Sequence, residues 1–276
     1  MLSRETIKIL KKHQIRLNKR KSQHYLVSSS ILDRIIRKAE PSVNDTILDI
    51  GAGIGTLTIP LSEMARKVVA IEQDPQIASI LRERLEEKGI TNVDVLEGDA
   101  TRLELPPFNK VVSNLPYKIS SPITFRLLEY DFDFGILMYQ LEFADRMVAK
   151  PGESKYSRLS VMINLKAEAE KLFTVPKGAF LPPPRVSSAV VKLTPKKDVK
   201  LDEFMLNITR ALFQHKRKKA KKALLDSYHE WAPDKKFAKE MLSRLDSELM
   251  DERPFQMESE NIIQITHELK KLIKSD

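Results

Sequence analysis

The sequence predicts an α/β domain built on a mostly parallel sheet, followed by a small all-α C-terminal domain. Three observations predict it. From Thr46 to about Leu193 short β-branched runs alternate with amphipathic helical segments, the pattern of parallel strands joined by crossover helices. Within that stretch Asp49-Ile50-Gly51-Ala52-Gly53-Ile54-Gly55-Thr56 delivers an acid and three alternate glycines from a hydrophobic strand into a helix. After Pro195 no convincing strand remains, only helical periodicity broken at Pro233 and Pro254. The expected boundaries are 1–195, opening with a basic segment 1–25, and 196–276.

Taken in order, Thr46–Ile50 reads as a first buried strand and Thr56–Arg66 as the helix after the glycines. Lys67–Ile71 is a second strand ending at Glu72. Pro75 suits the first turn of a helix that runs to about Lys88 and stops at Gly89. Val93–Leu96 and Lys110–Ser113 follow as strands three and four, with Phe134–Tyr139 and Ser188–Leu193 as later strands. Pro182-Pro183-Pro184 forbids regular helix and gives a stiff, extended loop.

Composition narrows the function classes. No stretch approaches the roughly 20 apolar residues of a membrane span, and the first residues lack the apolar core of a secretory signal. The absence of cysteine excludes disulfides, Cys-ligated zinc and thiol nucleophiles, and fits a reducing compartment, so a cytoplasmic protein is expected. Lys and Arg number 47 against 38 Asp and Glu, a formal charge of +9, which suits a polyanionic partner. The charge clusters in Lys8–Lys21 and in Arg210–Lys222, each with seven basic residues and no acid. One such run is as often a solvated face as a contact surface, but two make nucleic acid the better reading.

Glycines at Gly51, Gly53 and Gly55 allow a tight turn and close approach of backbone to a ligand. A dinucleotide fingerprint would be GxGxxG, and the residue after Gly55 is Thr56, so the spacing argues against a pyrophosphate. Alternate glycines after an acid resemble the S-adenosylmethionine enzymes instead. Glu72, about 20 residues on at the end of the second strand, stands where an acid accepts both ribose hydroxyls, in either kind of nucleotide site. Asp99, just past the third strand, can accept a hydrogen bond from an adenine amino group.

After the fourth strand comes Asn114-Leu115-Pro116-Tyr117. An exocyclic adenine nitrogen is a poor nucleophile because its lone pair is delocalised into the ring. Accepting its protons at the Asn114 side-chain oxygen and at a backbone carbonyl near Leu115 favours a pyramidal, reactive nitrogen. Pro116 would fix the turn and Tyr117 would stack on the base. No metal or covalent intermediate is required, because methyl transfer from a sulfonium is a direct displacement and positioning carries most of the catalysis.

Asn114-Leu115-Pro116-Tyr117-Lys118-Ile119-Ser120-Ser121-Pro122, with Gln23-His24-Tyr25-Leu26 upstream, resembles the rRNA adenine dimethyltransferase family of the small ribosomal subunit. Further matches are Tyr156-Ser157-Arg158-Leu159-Ser160, Ala179-Phe180-Leu181-Pro182-Pro183-Pro184 and Phe213-Gln214-His215-Lys216-Arg217-Lys218. The resemblance implies a Rossmann-like class I methyltransferase domain with a helical RNA-binding domain, and dimethylation of two adjacent adenosines near the 3′ end of small-subunit rRNA. It implies cofactor contacts at His24, Leu26, Gly51, Glu72, Asp99 and Asn114, and Phe180 as a second aromatic wall opposite Tyr117. The second basic run falls on a predicted helix in the C-terminal domain, and the resemblance makes it an rRNA-contacting surface, with Lys216, Arg217, Lys218, Lys219 and Lys222 as its contacts. The chain departs from the family at Ser22, where the family has Gly, and at Tyr25, where Phe is usual; the His24 form is closest to archaeal or eukaryotic members. The expected partner is the immature small ribosomal subunit, and the expected state is a monomer. Methylation of another nucleic acid, and a non-catalytic factor that docks on pre-ribosomal RNA, are the two rival readings.

Overall fold

The computed structural model describes residues 2–15, 24–196, 201–245 and 248–275. Part of the first basic run, Arg16, Lys19, Arg20 and Lys21, and the Ser22-Gln23 pair lie outside the described residues. The chain divides into two compact units, one formed by 1–144 with 167–195, the other by 145–166 with 196–276.

The first unit is a seven-stranded sheet in the order β4-β3-β2-β5-β6-β9-β7. Strands β2 (Thr46–Ile50), β3 (Lys67–Glu72), β4 (Val93–Glu97), β5 (Lys110–Asn114) and β6 (Phe134–Gln140) are parallel, and β9 (Ser188–Pro195) returns antiparallel between β6 and β7 (Ala167–Val175). Every residue of β2 is buried, as a strand covered on both faces requires. Because the five strands run the same way, Ile50, Glu72, Glu97 and Asn114 all end at one edge, outside which ligands of open α/β sheets bind. Helix α4 (Pro75–Glu87) begins where the sequence places it: Asp74 accepts the Gln76 N–H, Pro75 occupies the first turn, and Gly89 stands at φ +65° beyond the end. The helix expected over Thr56–Arg66 is only the short α3, Thr58–Ser62. Gly55 at φ +87° holds the preceding turn out of helix, and the Ser62 hydroxyl bonds back to the Ile59 carbonyl where the helix ends.

A separate two-stranded ribbon pairs β1 (Tyr25–Leu26) with β8 (Phe180–Leu181), Leu26 opposite Phe180. It carries the His24-Tyr25-Leu26 segment to the same edge. The N-terminal helix α1 (Leu2–Lys12) is tied to α4 by ion pairs of Lys12 with Glu83 and Glu87 and of Glu5 with Arg84, and Arg84 also donates to the Ile54 carbonyl in the glycine turn.

In the second unit α8 (Glu203–Gln214), α9 (Ala220–Asp226), α10 (Lys235–Arg244) and α11 (Ser259–Lys274) close around Ile208, Leu212, Trp231, Met241, Ile265 and Leu269. The segment 145–166 departs from the expected boundary at 195/196. Tyr156, Val161 and Leu165, the last two on α7 (Arg158–Lys166), are buried in this helical core, and the Tyr156 hydroxyl donates to the Met257 carbonyl at 2.8 Å. Among the described residues no helix is long and apolar enough to cross a membrane.

Candidate active site

At the C-terminal edge of the parallel strands lies a cavity of about 560 Å³, within the usual size of a small-molecule site. His24, Leu26, Gly51, Glu72, Asp99, Asn114, Leu115, Pro116 and Tyr117 all line it.

The glycine turn is built around the catalytic tetrapeptide expected from the sequence. Gly51 stands at φ +73°, and a Cβ there would come within 2.9 Å of the Pro116 ring, so the turn after β2 and the turn after β5 touch only because position 51 has no side chain. The Gly51 and Ala52 N–H groups both donate to the Ile71 carbonyl, which draws the turn against β3. Glu72 then accepts the Gly53 N–H on Oε2 and the Asp74 N–H on Oε1, each at 2.9 Å, and burial raises its carboxyl pKa. Asp99 accepts both the backbone N–H and the hydroxyl of Thr101 on Oδ1, at 2.9 and 2.7 Å, and these bonds hold its carboxyl below the usual range.

Asn114 closes the other side. Its Nδ2 donates to the His24 carbonyl at 3.1 Å, which fixes the amide orientation and turns Oδ1 away from that partner. The His24 ring stacks on Tyr117 at 5.8 Å between centroids and is anchored through Nδ1 to the Pro182 carbonyl at 2.8 Å. The Tyr117 hydroxyl bonds Ser188 Oγ at 2.6 Å, so the phenol is held at both its face and its tip.

A family model, ribosomal RNA adenine dimethylase, matches residues 14–256. The chain belongs to this family. A curated relative from Methanosphaera stadtmanae, a probable ribosomal RNA small subunit methyltransferase A, is 48% identical over 95% of this chain and 96% of its own. A crystal structure of a dimethyladenosine transferase from Plasmodium falciparum superposes with a TM-score of 0.79 at 33% identity, covering 90% of this chain and 98% of that one. The 23S rRNA methyltransferase ErmE gives 0.66 at 27% identity over 89% of this chain and 99% of its own.

This dimethylase is thus an S-adenosylmethionine-dependent transferase on a Rossmann-like fold, and its cavity fits that cofactor on physical grounds. In a protein of formal charge +9, the cavity is lined by Asp49, Glu72, Asp74 and Asp99 against one lysine, Lys118. Such a field suits a ligand with a sulfonium and an ammonium group. Asp49 contributes an acceptor that the fold leaves unused. Its Oδ2 takes the Thr58 hydroxyl at 2.7 Å, whereas Oδ1 is buried with no partner. Burial raises its carboxyl pKa to about 7. The acid was visible in the glycine motif, but nothing in the sequence announced the orphaned oxygen. Ser188, far from the motif in sequence, left no signal at all.

Two expectations are corrected. Phe180 is 3% exposed and packed in the apolar cluster with Leu26, Ile136 and Val190, and it does not line the cavity. Its side chain is taken up by that cluster, while its ribbon partner Leu26 reaches both the cluster and the cavity. The second basic run is not one helix: Arg210 lies within α8, which ends at Gln214, Lys216 to Lys219 fall in the turn to α9, and Lys221 and Lys222 lie on α9. Lys216 is half-buried, donating to the Ser154 and Tyr156 carbonyls, and burial lowers its pKa. Lys218 and Lys222 flank Asp226, Lys219 pairs with Asp251, and Arg217 is exposed.

Proposed function

We propose that this chain dimethylates two adjacent adenosines near the 3′ end of small-subunit rRNA, acting as a monomer on the immature cytoplasmic subunit. The observation that carries the reading is the Asn114 amide: because Nδ2 is committed to the His24 carbonyl, Oδ1 is the atom left to accept a proton of an adenine amino group. With the Leu115 carbonyl as the second acceptor, both amino protons are drawn into hydrogen bonds and the nitrogen lone pair is released from the ring. Tyr117, held by Ser188 and backed by His24, presents a face on which an extruded base stacks. S-adenosylmethionine supplies the electrophilic methyl group. Transfer of that methyl would be a direct displacement that leaves S-adenosylhomocysteine, with the proton of the nitrogen passing to solvent. Glu72 would hold the ribose, Asp99 the adenine amino group and Asp49 the ammonium of the cofactor, while His24, Leu26 and Gly51 supply backbone and walls.

Arg217, Lys218, Lys219 and Lys222 are read as phosphate contacts, which give affinity and register rather than sequence choice. Lys216 is read as the residue that shapes their turn, since its donors are spent on two carbonyls. The test is transfer of labelled methyl from S-adenosylmethionine to unmethylated small subunits, with nucleoside analysis of the digested RNA. Dimethyladenosine at two neighbouring 3′ positions is expected. No incorporation into subunits at any maturation stage would overturn the reading.

A further inference from the structure

The loop that carries Asp99 is fastened from outside by an arginine. Arg126 stands on α5 (Ser120–Leu127), the helix that follows the Tyr117–Ile119 turn, and its two terminal nitrogens donate to the backbone carbonyls of Thr101 and Leu103. Its Nε is buried with no hydrogen-bond partner. A buried, unsatisfied donor is costly, so this arrangement is a poor choice for stability alone. What the two bonds achieve is placement. Thr101, whose carbonyl Arg126 holds, is the residue whose N–H and hydroxyl both grip Asp99 Oδ1. The other oxygen, Oδ2, makes no hydrogen bond among the described residues; Arg102 Nε, on a side chain that is 87% exposed, stands 3.8 Å away, too long for one. Oδ2 is therefore the acceptor left for a ligand. The guanidinium charge of Arg126 further favours the ionised carboxylate.

We propose that Arg126 is a positioning residue for the base of the cofactor: through Thr101 it holds Asp99 so that Oδ2 meets the exocyclic amino group of S-adenosylmethionine. This rests on the reading of Asp99 as the adenine acceptor. It makes one side chain couple the base-reading loop to the helix that leaves the Asn114–Tyr117 turn, so the two ends of the cavity are set against each other.

The test compares binding of S-adenosylhomocysteine and S-inosylhomocysteine, which carries oxygen in place of the amino group, by calorimetry. A hydrogen bond to a charged acceptor predicts that the native protein prefers the adenosyl ligand roughly tenfold to hundredfold. Arg126→Met, which keeps most of the length but no donors, is expected to cut the preference below about fivefold by loosening Asp99; Arg126→Lys restores part of it. Loss of packing alone would weaken both ligands equally and leave the ratio intact. Asp99→Ala is the control. If it abolishes the preference while Arg126→Met keeps the native value, Arg126 does not position Asp99. If Asp99→Ala itself leaves the ratio unchanged, the reading of Asp99 fails and the inference falls with it. Should Arg126→Met not fold, as judged by thermal melting, Thr101→Val removes one grip on Asp99 and is expected to lower the ratio; an unchanged ratio there and in Arg126→Lys would overturn the proposal.

Discussion

With Asp49 against the ammonium of the cofactor, as proposed, cofactor binding becomes a proton-linked event. The carboxyl is 1% exposed, Oδ2 accepts the Thr58 hydroxyl while Oδ1 makes no hydrogen bond, and burial, with Glu72 nearby, outweighs the relief from Thr58 and Ser113 and raises its pKa to about 7, well above the usual carboxylate range. A folded pKa above the unfolded one means that the protonated carboxyl favours the fold. This contribution is fully present below about pH 4 and is lost as pH rises through about 7, at most about 4 kcal/mol at roughly 1.4 kcal/mol per pKa unit. A ligand whose ammonium meets Asp49 demands the carboxylate, so binding below pH 7 must expel the proton. Where one proton is released, the dissociation constant for S-adenosylmethionine should tighten roughly tenfold per pH unit from about pH 5.5 and level off above 7. Glu72 is raised by its own burial, whereas Asp99 is held below the usual range and is already ionised. Calorimetry at pH 6 in two buffers of different ionisation enthalpy counts the protons. About one or more per site is expected for the native chain, and fewer, by close to one, for Asp49→Asn. Equal release from the two proteins, or none from the native chain, would refute the assignment.

Asn114→Ala should lower methyl transfer by at least about a hundredfold, as loss of a preorganised hydrogen-bonding group does, and by more than it weakens S-adenosylhomocysteine, which loses only what the Asn114 contact and its hold on His24 contribute; single-turnover kinetics and calorimetry separate the two. Gly51→Ala forces φ +73° on a residue with a Cβ, about 1–2 kcal/mol, and drives that carbon against Pro116, so both the melting temperature and cofactor affinity should fall. Tyr25→Phe removes a buried hydroxyl without a partner, and chemical denaturation should show stability unchanged or higher by about 1 kcal/mol. Lys218→Ala combined with Lys222→Ala should flatten the dependence of log K on log salt for RNA by about one to two, whereas Lys216→Ala should lower the melting temperature and leave that slope alone.

The central parallel strands β2, β3, β5 and β6 were legible because burial on both faces writes itself as continuous β-branched runs, and the strand ends as a change to polar residues. β7 was not, since Ala167–Val175 carries Glu168, Glu170 and Lys171 and lies at the sheet edge, where half its side chains meet solvent. Nor were the two-residue strands β1 and β8, too short for any period to show. The basic run misled for a different reason. Composition counts charges but not the bonds that bend the chain: Lys216 is tied by its side chain to residues 154 and 156, and its carbonyl accepts the Phe255 N–H, contacts made far along the sequence. Arg126 is hidden in the same way, its role resting on two carbonyls in another loop.

The separation of charge explains how one basic protein handles a cationic donor and an anionic substrate. Asp49, Glu72, Asp74 and Asp99 line the cavity, while the exposed cations Arg217, Lys218, Lys219 and Lys222 belong to the other unit. An acidic cavity repels phosphate, so on the proposed reading a nucleic acid offers it a neutral base swung out of the strand, for which Tyr117, which lines the cavity, would be the stacking surface. The same field favours turnover. S-adenosylmethionine carries one more positive charge than S-adenosylhomocysteine, so four surrounding acids hold the donor more strongly than the spent product. Neutralising Asp49 or Glu72 should then narrow the difference in affinity between the two, and because both carboxyls are buried or partly buried the effect should depend little on salt.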